Sequence, residues 1–327
     1  MTTVSDAGCL VEVRNLKKSF PLRRGFFSRT VAEVRAVNGV SFTICRGETL
    51  GLVGESGSGK TTIGKLLLRL LEASGGRILF EGTDVLSLRK DQLPRVRRNI
   101  QIVFQNPHSA LNPRMSVEDI LAEGLLIHNI ARGQPLRQRV TELLEMVKLS
   151  PHDGYKYPHE FSSGQRQRIG IARALSVNPK CIVADEPVSA LDVSIQAQLL
   201  NLLVDIQQAY QIAFLFITHD LSVVKYVSHR VAVLYLGQIV EMAPTAVLFS
   251  TPLHPYTQML LSAVPRLYPA KTETARIPRG ELPGSLIVPP GCPFYPRCVN
   301  RIPDCRDSAP ELKEVGQGHY VRCLRVV

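Results

Sequence analysis

Eight consecutive residues, Gly54, Glu55, Ser56, Gly57, Ser58, Gly59, Lys60 and Thr61, have the types and spacing of a loop that wraps phosphates. Small residues let backbone N–H groups turn inward at a helix N-terminus, where the macrodipole favours anions. Lys60 is predicted to reach the β- and γ-phosphates and Thr61 to ligate Mg²⁺, with Thr62 bordering the same nucleotide. The apolar run Cys181–Ala184 ends in two adjacent carboxylates. Asp185 is assigned to the Mg²⁺ shell, and Glu186 to polarising the attacking water as general base. His219 closes the apolar run FLFITHD and is read as a γ-phosphate contact. A fourth segment, Ser162, Ser163, Gly164 and Gln165, offers hydroxyls and free N–H groups just before a helix, a second anion-binding start. One nucleotide in one subunit needs only one such start, so the redundancy predicts a dimer in which each subunit completes the other's site.

These side chains need a particular scaffold. Residues 10–53 alternate short apolar stretches with turns and are predicted as strands, and TTIGKLLLRLL after the glycines carries helical spacing. Residues 115–178 are predicted as mainly helical. A second strand and helix series follows, in which KCIVADEP, IAFLFITHD and RVAVLYLG are strands and SIQAQLLNLLVDIQQAY a helix. Continuous apolar strands alternating with helices predict a parallel sheet covered on both faces, an α/β class. His219, Asp185 and the phosphate loop would then share the carboxyl edge of that sheet. After about Met242 the sequence turns proline-rich, and a separate irregular tail is predicted.

At 327 residues, 45% hydrophobic and 20% charged, with mean hydropathy +0.05, the composition is that of a globular protein and excludes a disordered or collagenous one. No run approaches the roughly 18 apolar residues of a membrane span, and the N-terminus lacks a secretory pattern, so a cytoplasmic protein is expected. A net charge of +11 attracts anions without choosing among nucleotide, nucleic acid and membrane. The basic run Arg89, Lys90, Arg95, Arg97 and Arg98 has no interleaved aromatic residues, so it is read as a solvated face and nucleic acid is not expected as a partner. Of seven cysteines, Cys9, Cys45 and Cys181 are read as small buried apolar residues. Cys292, Cys298, Cys305 and Cys323 follow a C-x5-C-x6-C-x17-C spacing. Clustered thiols in a reducing compartment point to iron–sulfur or zinc, yet the paired C-x2-C spacing of zinc sites is missing, so cluster, zinc and no metal stay open. His319 is read as a surface residue that could substitute as a ligand.

Taken together the motifs resemble those of ABC-type ATPases over about residues 10–250. FSSGQRQRIGIARAL is similar to the family signature, with Ser163 where a glycine is usual. The resemblance implies a P-loop nucleotide-binding domain with a helical subdomain at about 110–180 and ATP with Mg²⁺ as cofactors. It further implies Gln105 as a Mg²⁺ contact that senses a membrane subunit, Asp192 in Ser189–Asp192 as a carboxylate communicating across the dimer, and Phe20 stacking on adenine. Segments YPHEFSSGQRQR, HPYTQMLLSAVP and ELPGSLIVPPGCPFYPRC look like those of dipeptide and oligopeptide importers, particularly the second ATPase of a heterodimeric pair. By that resemblance 251–327 is the C-terminal extension of the group, in which some relatives carry a [4Fe-4S] cluster.

The implied protein is an ATP-hydrolysing subunit at the cytoplasmic face of the membrane. It is held there by two integral permease subunits, paired with a second ABC ATPase, and served indirectly by an extracytoplasmic substrate-binding protein. Rival readings are an ATP-binding partner that does not hydrolyse, for which Ser163 argues, an importer of nickel or glutathione, and a DNA-repair or translation ATPase. The last usually has two ATPase halves or long coiled coils, which this chain lacks.

Overall fold

The computed structural model describes residues 9–24, 29–106, 110–263 and 290–326. In chain order the elements are β1 (Cys9–Arg24), β2 (Arg29–Cys45), β3 (Thr49–Val53), α1 (Lys60–Leu67), β4 (Gly75–Phe80), β5 (Thr83–Asp84), α2 (Leu93–Asn99) and β6 (Ile100–Val103). There follow α3 (Val117–Ile127), α4 (Gln134–Met146), α5 (Ser163–Leu175), β7 (Cys181–Asp185), α6 (Val193–Tyr210) and β8 (Ala213–Thr218). The chain closes with α7 (Leu221–Val227), β9 (Arg230–Tyr235), β10 (Gln238–Pro244), α8 (Thr245–Ser250), α9 (Pro255–Ser262), β11 (Lys313–Gly316) and β12 (His319–Val321).

Two compact units emerge. One is formed chiefly by Ser87–Ile217 and contains three parallel strands in the order β6, β7, β8, with Ile100 opposite Cys181 and Asp185 opposite Ile217. Every residue of β7 is buried, which is why its sequence is continuously apolar up to Asp185 rather than alternating. The predicted helical stretch is here as α3, α4 and α5. Val117, Leu121, Leu125, Val140, Leu143, Leu144, Ile171 and Leu175 recur at helical spacing and are buried, each such burial contributing about 1.5–3 kcal/mol. Ser116 caps α3 by accepting from the Asp119 N–H at 3.1 Å. The basic residues Arg89, Lys90, Arg95, Arg97 and Arg98 are exposed, and Arg89 pairs with Asp91 at 2.7 Å.

The other unit is formed by Val11–Thr43, Thr49–Leu86 and Thr218–Val327. Within it β3 runs parallel to β9, and β9, β10, β12 and β11 continue antiparallel. A second, antiparallel sheet has the order β2, β1, β4, β5, with Val11 opposite Phe80 and Val13 opposite Ile78. The N-terminal strands are where the sequence puts them, and the tail departs from expectation. The predicted strand-rich N-terminus forms an antiparallel sheet as well as the parallel β3. The tail is not wholly irregular: β12 pairs with β10, placing Val321 opposite Glu241. Phe294 and Tyr256 enter the same buried cluster as Val53, Val233 and Tyr235. Part of the quoted tail segment, 264–289, lies outside the described residues.

Candidate nucleotide site

The phosphate loop is built by β3 and α1. All of β3 is buried, and the chain leaves it at Gly54 and re-enters regular structure at Lys60. Gly59 has φ 105°, and a Cβ there would collide with the Ala36 carbonyl oxygen, so only glycine can occupy the last turn before the helix. Gly59 also stands at the N-cap of α1 and supplies no side-chain cap. The Lys60 side chain is buried and folds back into the loop, with Nζ donating to Gly54 O at 2.7 Å and Glu55 O at 2.9 Å. Ser58 N–H closes the turn on Glu55 O at 3.2 Å, and Gly237 N–H donates to Ser58 O at 2.9 Å. Ser56, Gly57 and Thr61 face solvent, with Thr62 half-buried. Two groups beyond the motif also hold the loop: Tyr256 and Arg297 both bond to Glu55. His219, exposed, follows β8 and directly precedes Asp220, which caps α7 by accepting from the Ser222 N–H at 2.7 Å. Phe20 is 36% exposed, with Lys18 Nζ 4.9 Å from its ring centre.

In the other unit the ends of parallel strands gather the remaining chemistry. Gln105 follows β6, Asp185 ends β7 buried, and Glu186 comes next with φ 47°. A glutamate in the left-handed region is strained by about 1–3 kcal/mol, a cost typical of functional positions. It is held there by its own N–H donating to Ile217 O at 2.9 Å and by Ser189 Oγ donating to its carbonyl at 3.1 Å. Gln105 Nε2 donates to Glu186 Oε2 at 2.8 Å. Asp192 sits at the N-cap position of α6, exposed, and makes no side-chain cap bond.

Ser162 and Gln165 form a capping box at the start of α5: Gln165 N–H donates to Ser162 Oγ at 3.3 Å and Ser162 N–H to Gln165 Oε1 at 3.0 Å. Ser163 is the first residue of the helix and is not among the residues with positive φ, so its Cβ is tolerated where a glycine is usual. Gly164 is the position that needs to be bare, because a Cβ would come within 2.6 Å of Ile195 Cγ2.

The four clustered cysteines are free, and all of them line one small pocket, together with His254, Phe294 and Tyr295. Burial pushes the Cys292 thiol up to about 11, with Cys305, Cys298 and Cys323 adding to the shift. Among the described residues no group of three or more His, Cys, Asp or Glu side chains is arranged to hold a metal ion. Cys181 is buried and its thiol is pushed up to about 12, but Cys9 and Cys45 are only half-buried, short of the expectation. The expected surface position of His319 is also corrected. It is buried, with Nε2 2.8 Å from Glu241 Oε1, because β12 packs it against β10. Sequence reasoning missed Tyr256, Arg297 and Glu241. Two lie in segments singled out only as similar to importer sequences, and Glu241 looks like an ordinary strand residue until its burial is seen.

Comparisons with known proteins give the family. Residues 37–189 match the ABC transporter model, and residues 240–305 match the oligopeptide/dipeptide transporter C-terminal region. The chain is 48% identical over 324 residues to the oligopeptide transport ATP-binding protein AppF of Bacillus subtilis, covering 98% of each. It is 48% identical over 320 residues to the glutathione import ATP-binding protein GsiA of Escherichia coli, covering 98% of this chain and 49% of that one. Among solved structures, a dimeric ATP-binding cassette in a post-hydrolysis state with ADP and Pi superposes with TM-score 0.64 at 27% identity, covering 72% of this chain and 98% of that one. The cbiO1 protein of Clostridium perfringens, part of an ABC transporter complex, gives TM-score 0.64 at 27% identity, covering 75% and 92%. Among the described residues no helix is long and apolar enough to cross a membrane. The chain belongs to the ABC transporter ATPases, in the branch carrying the oligopeptide/dipeptide transporter C-terminal region, and is an ATPase whose hydrolysis is coupled to transport.

Proposed function

We propose that this ATPase powers uptake of dipeptides or oligopeptides. The observation that carries the reading is the phosphate loop with its glycine helix start and inward-folded Lys60, in a chain that keeps 48% identity to an oligopeptide transport protein over 98% of its length. ATP is held by Gly54–Thr62, with Phe20 against the adenine. Thr61, Gln105 and Asp185 surround Mg²⁺, Glu186 polarises water, and His219 contacts the γ-phosphate. Ser162–Gln165 and Asp192 serve the site of a second ATPase subunit, a paralogue. Hydrolysis then relies on positioning and charge stabilisation rather than covalent chemistry. Residues 1–250 form the ATPase proper, with the helical subdomain at about 110–180, and 251–327 the extension. The subunit lies at the cytoplasmic face, held by two permease subunits and fed by an extracytoplasmic binding protein.

The test is ATP-driven uptake by the complex in proteoliposomes. Peptide accumulation that needs ATP and fails in Glu186→Gln supports the reading, whereas nickel or glutathione uptake without peptide uptake overturns the substrate. Glutathione is the favoured alternative cargo, since a relative at 48% identity is named for it. The non-hydrolysing reading is less favoured, because Ser163 fits the helix and Glu186 is present.

The four thiols lining one pocket support a thiolate-bound group at Cys292, Cys298, Cys305 and Cys323, a [4Fe-4S] cluster ahead of zinc, although the side chains are not arranged to hold an ion as they stand. Iron, acid-labile sulfide and zinc measured on anaerobically purified protein decide among cluster, zinc and no metal.

A further inference from the structure

Glu55 fills one of the unspecified positions of the G-x-x-x-x-G-K-[ST] pattern, and a carboxylate there brings negative charge to a loop read as receiving an anion. Arg297 meets it fork to fork, Nη1 donating to Oε2 at 2.8 Å and Nη2 to Oε1 at 2.9 Å. The pair is largely shielded, its side chains 10% and 26% exposed, so it escapes the solvent screening that makes surface ion pairs nearly worthless. The Glu55 carboxylate also raises the Arg297 pKa above its ordinary value. The arginine is itself fixed. It closes a short turn, Tyr295–Arg297, and its guanidinium lies 6.0 Å from the ring centres of both Tyr235 and Phe294. Tyr256, fully buried at the start of α9, accepts the Glu55 backbone N–H at 3.0 Å. Side chain and backbone of one loop residue are thus anchored by groups more than 200 positions later in the chain.

We propose that Arg297 and Tyr256 are positioning residues for ATP, clamping Glu55 so that the phosphate loop is preorganised and its negative charge neutralised. The C-terminal extension is on this view a working part of the nucleotide site rather than an appended module. The proposal rests on the reading of Gly54–Thr61 as the ATP loop. The test uses the full chain in its complex with the permease subunits, measuring ATP KM and kcat together with the thermal midpoint. Arg297→Gln raises ATP KM about tenfold, with a smaller effect on kcat. Arg297→Lys recovers part of the affinity, because it restores the charge but not the fork. Glu55→Gln added to Arg297→Gln also recovers part, because the unneutralised carboxylate is gone. An unchanged KM in Arg297→Gln overturns the proposal. So does a loss of KM and kcat that follows the thermal midpoint and is relieved by neither second change. Lys60→Ala distinguishes the underlying reading: if it still binds ATP with ordinary affinity, the loop assignment itself fails.

Discussion

Gln105 Nε2 donates to Glu186 Oε2 at 2.8 Å, so the carboxylate proposed to polarise water is already hydrogen-bonded by the residue proposed to sense the membrane partner. A general base must be free to accept a proton from water, and this bond competes with that task while it lasts.

Glu186→Gln is expected to lower kcat by roughly 10²–10⁴ while leaving ATP binding intact. The amide keeps the size of the side chain and the bonds that its backbone makes to Ile217 and Ser189. Single-turnover hydrolysis beside nucleotide binding checks it, and undiminished turnover would place the active base elsewhere.

Gln105→Ala should weaken stimulation by the permease subunits more than it weakens ATP binding. Gln105→Glu should be worse, because it replaces the donor to Glu186 with a second carboxylate that repels it. Comparing permease-stimulated turnover of the two variants tests this, and equal turnover would refute it.

At the signature segment the two neighbouring small residues should respond oppositely. Ser163→Gly should change stability by no more than about 0.5 kcal/mol, since the site needs no special φ. Gly164→Ala drives a methyl to within 2.6 Å of the stiff, β-branched Ile195 and should cost about 1–3 kcal/mol, relieved when Ile195→Ala is added. Urea midpoints of the three variants decide it.

Glu241 is fully buried and accepts from Leu253 N–H at 2.7 Å and His254 N–H at 3.0 Å, with His319 Nε2 at 2.8 Å. Glu241→Leu leaves these groups without their acceptor and should destabilise the protein by on the order of 3 kcal/mol. Glu241→Gln should cost less. A change under about 0.5 kcal/mol in the leucine variant would mean water replaces the carboxylate.

The sequence by itself singled out the candidate residues of the nucleotide site and the elements that carry them. The loop from Gly54 to Thr61 is legible because phosphate binding constrains contiguous residues, and Asp185 and Glu186 stand out because two carboxylates are costly at the end of a buried strand. Buried strands and amphipathic helices are likewise local patterns, and β7, β8, α3 and α5 lie where their periodicity puts them. Tertiary structure alone decided what depends on residues distant in sequence. The pairing of β1 with β4, the attachment of β12 to β10, the burial of His319 on Glu241 and the clamp of Arg297 and Tyr256 on Glu55 are of this kind. Each joins groups whose types are unremarkable in the chain. Their energies come from exclusion of water and from mutual geometry, and neither exists until the distant segments have packed.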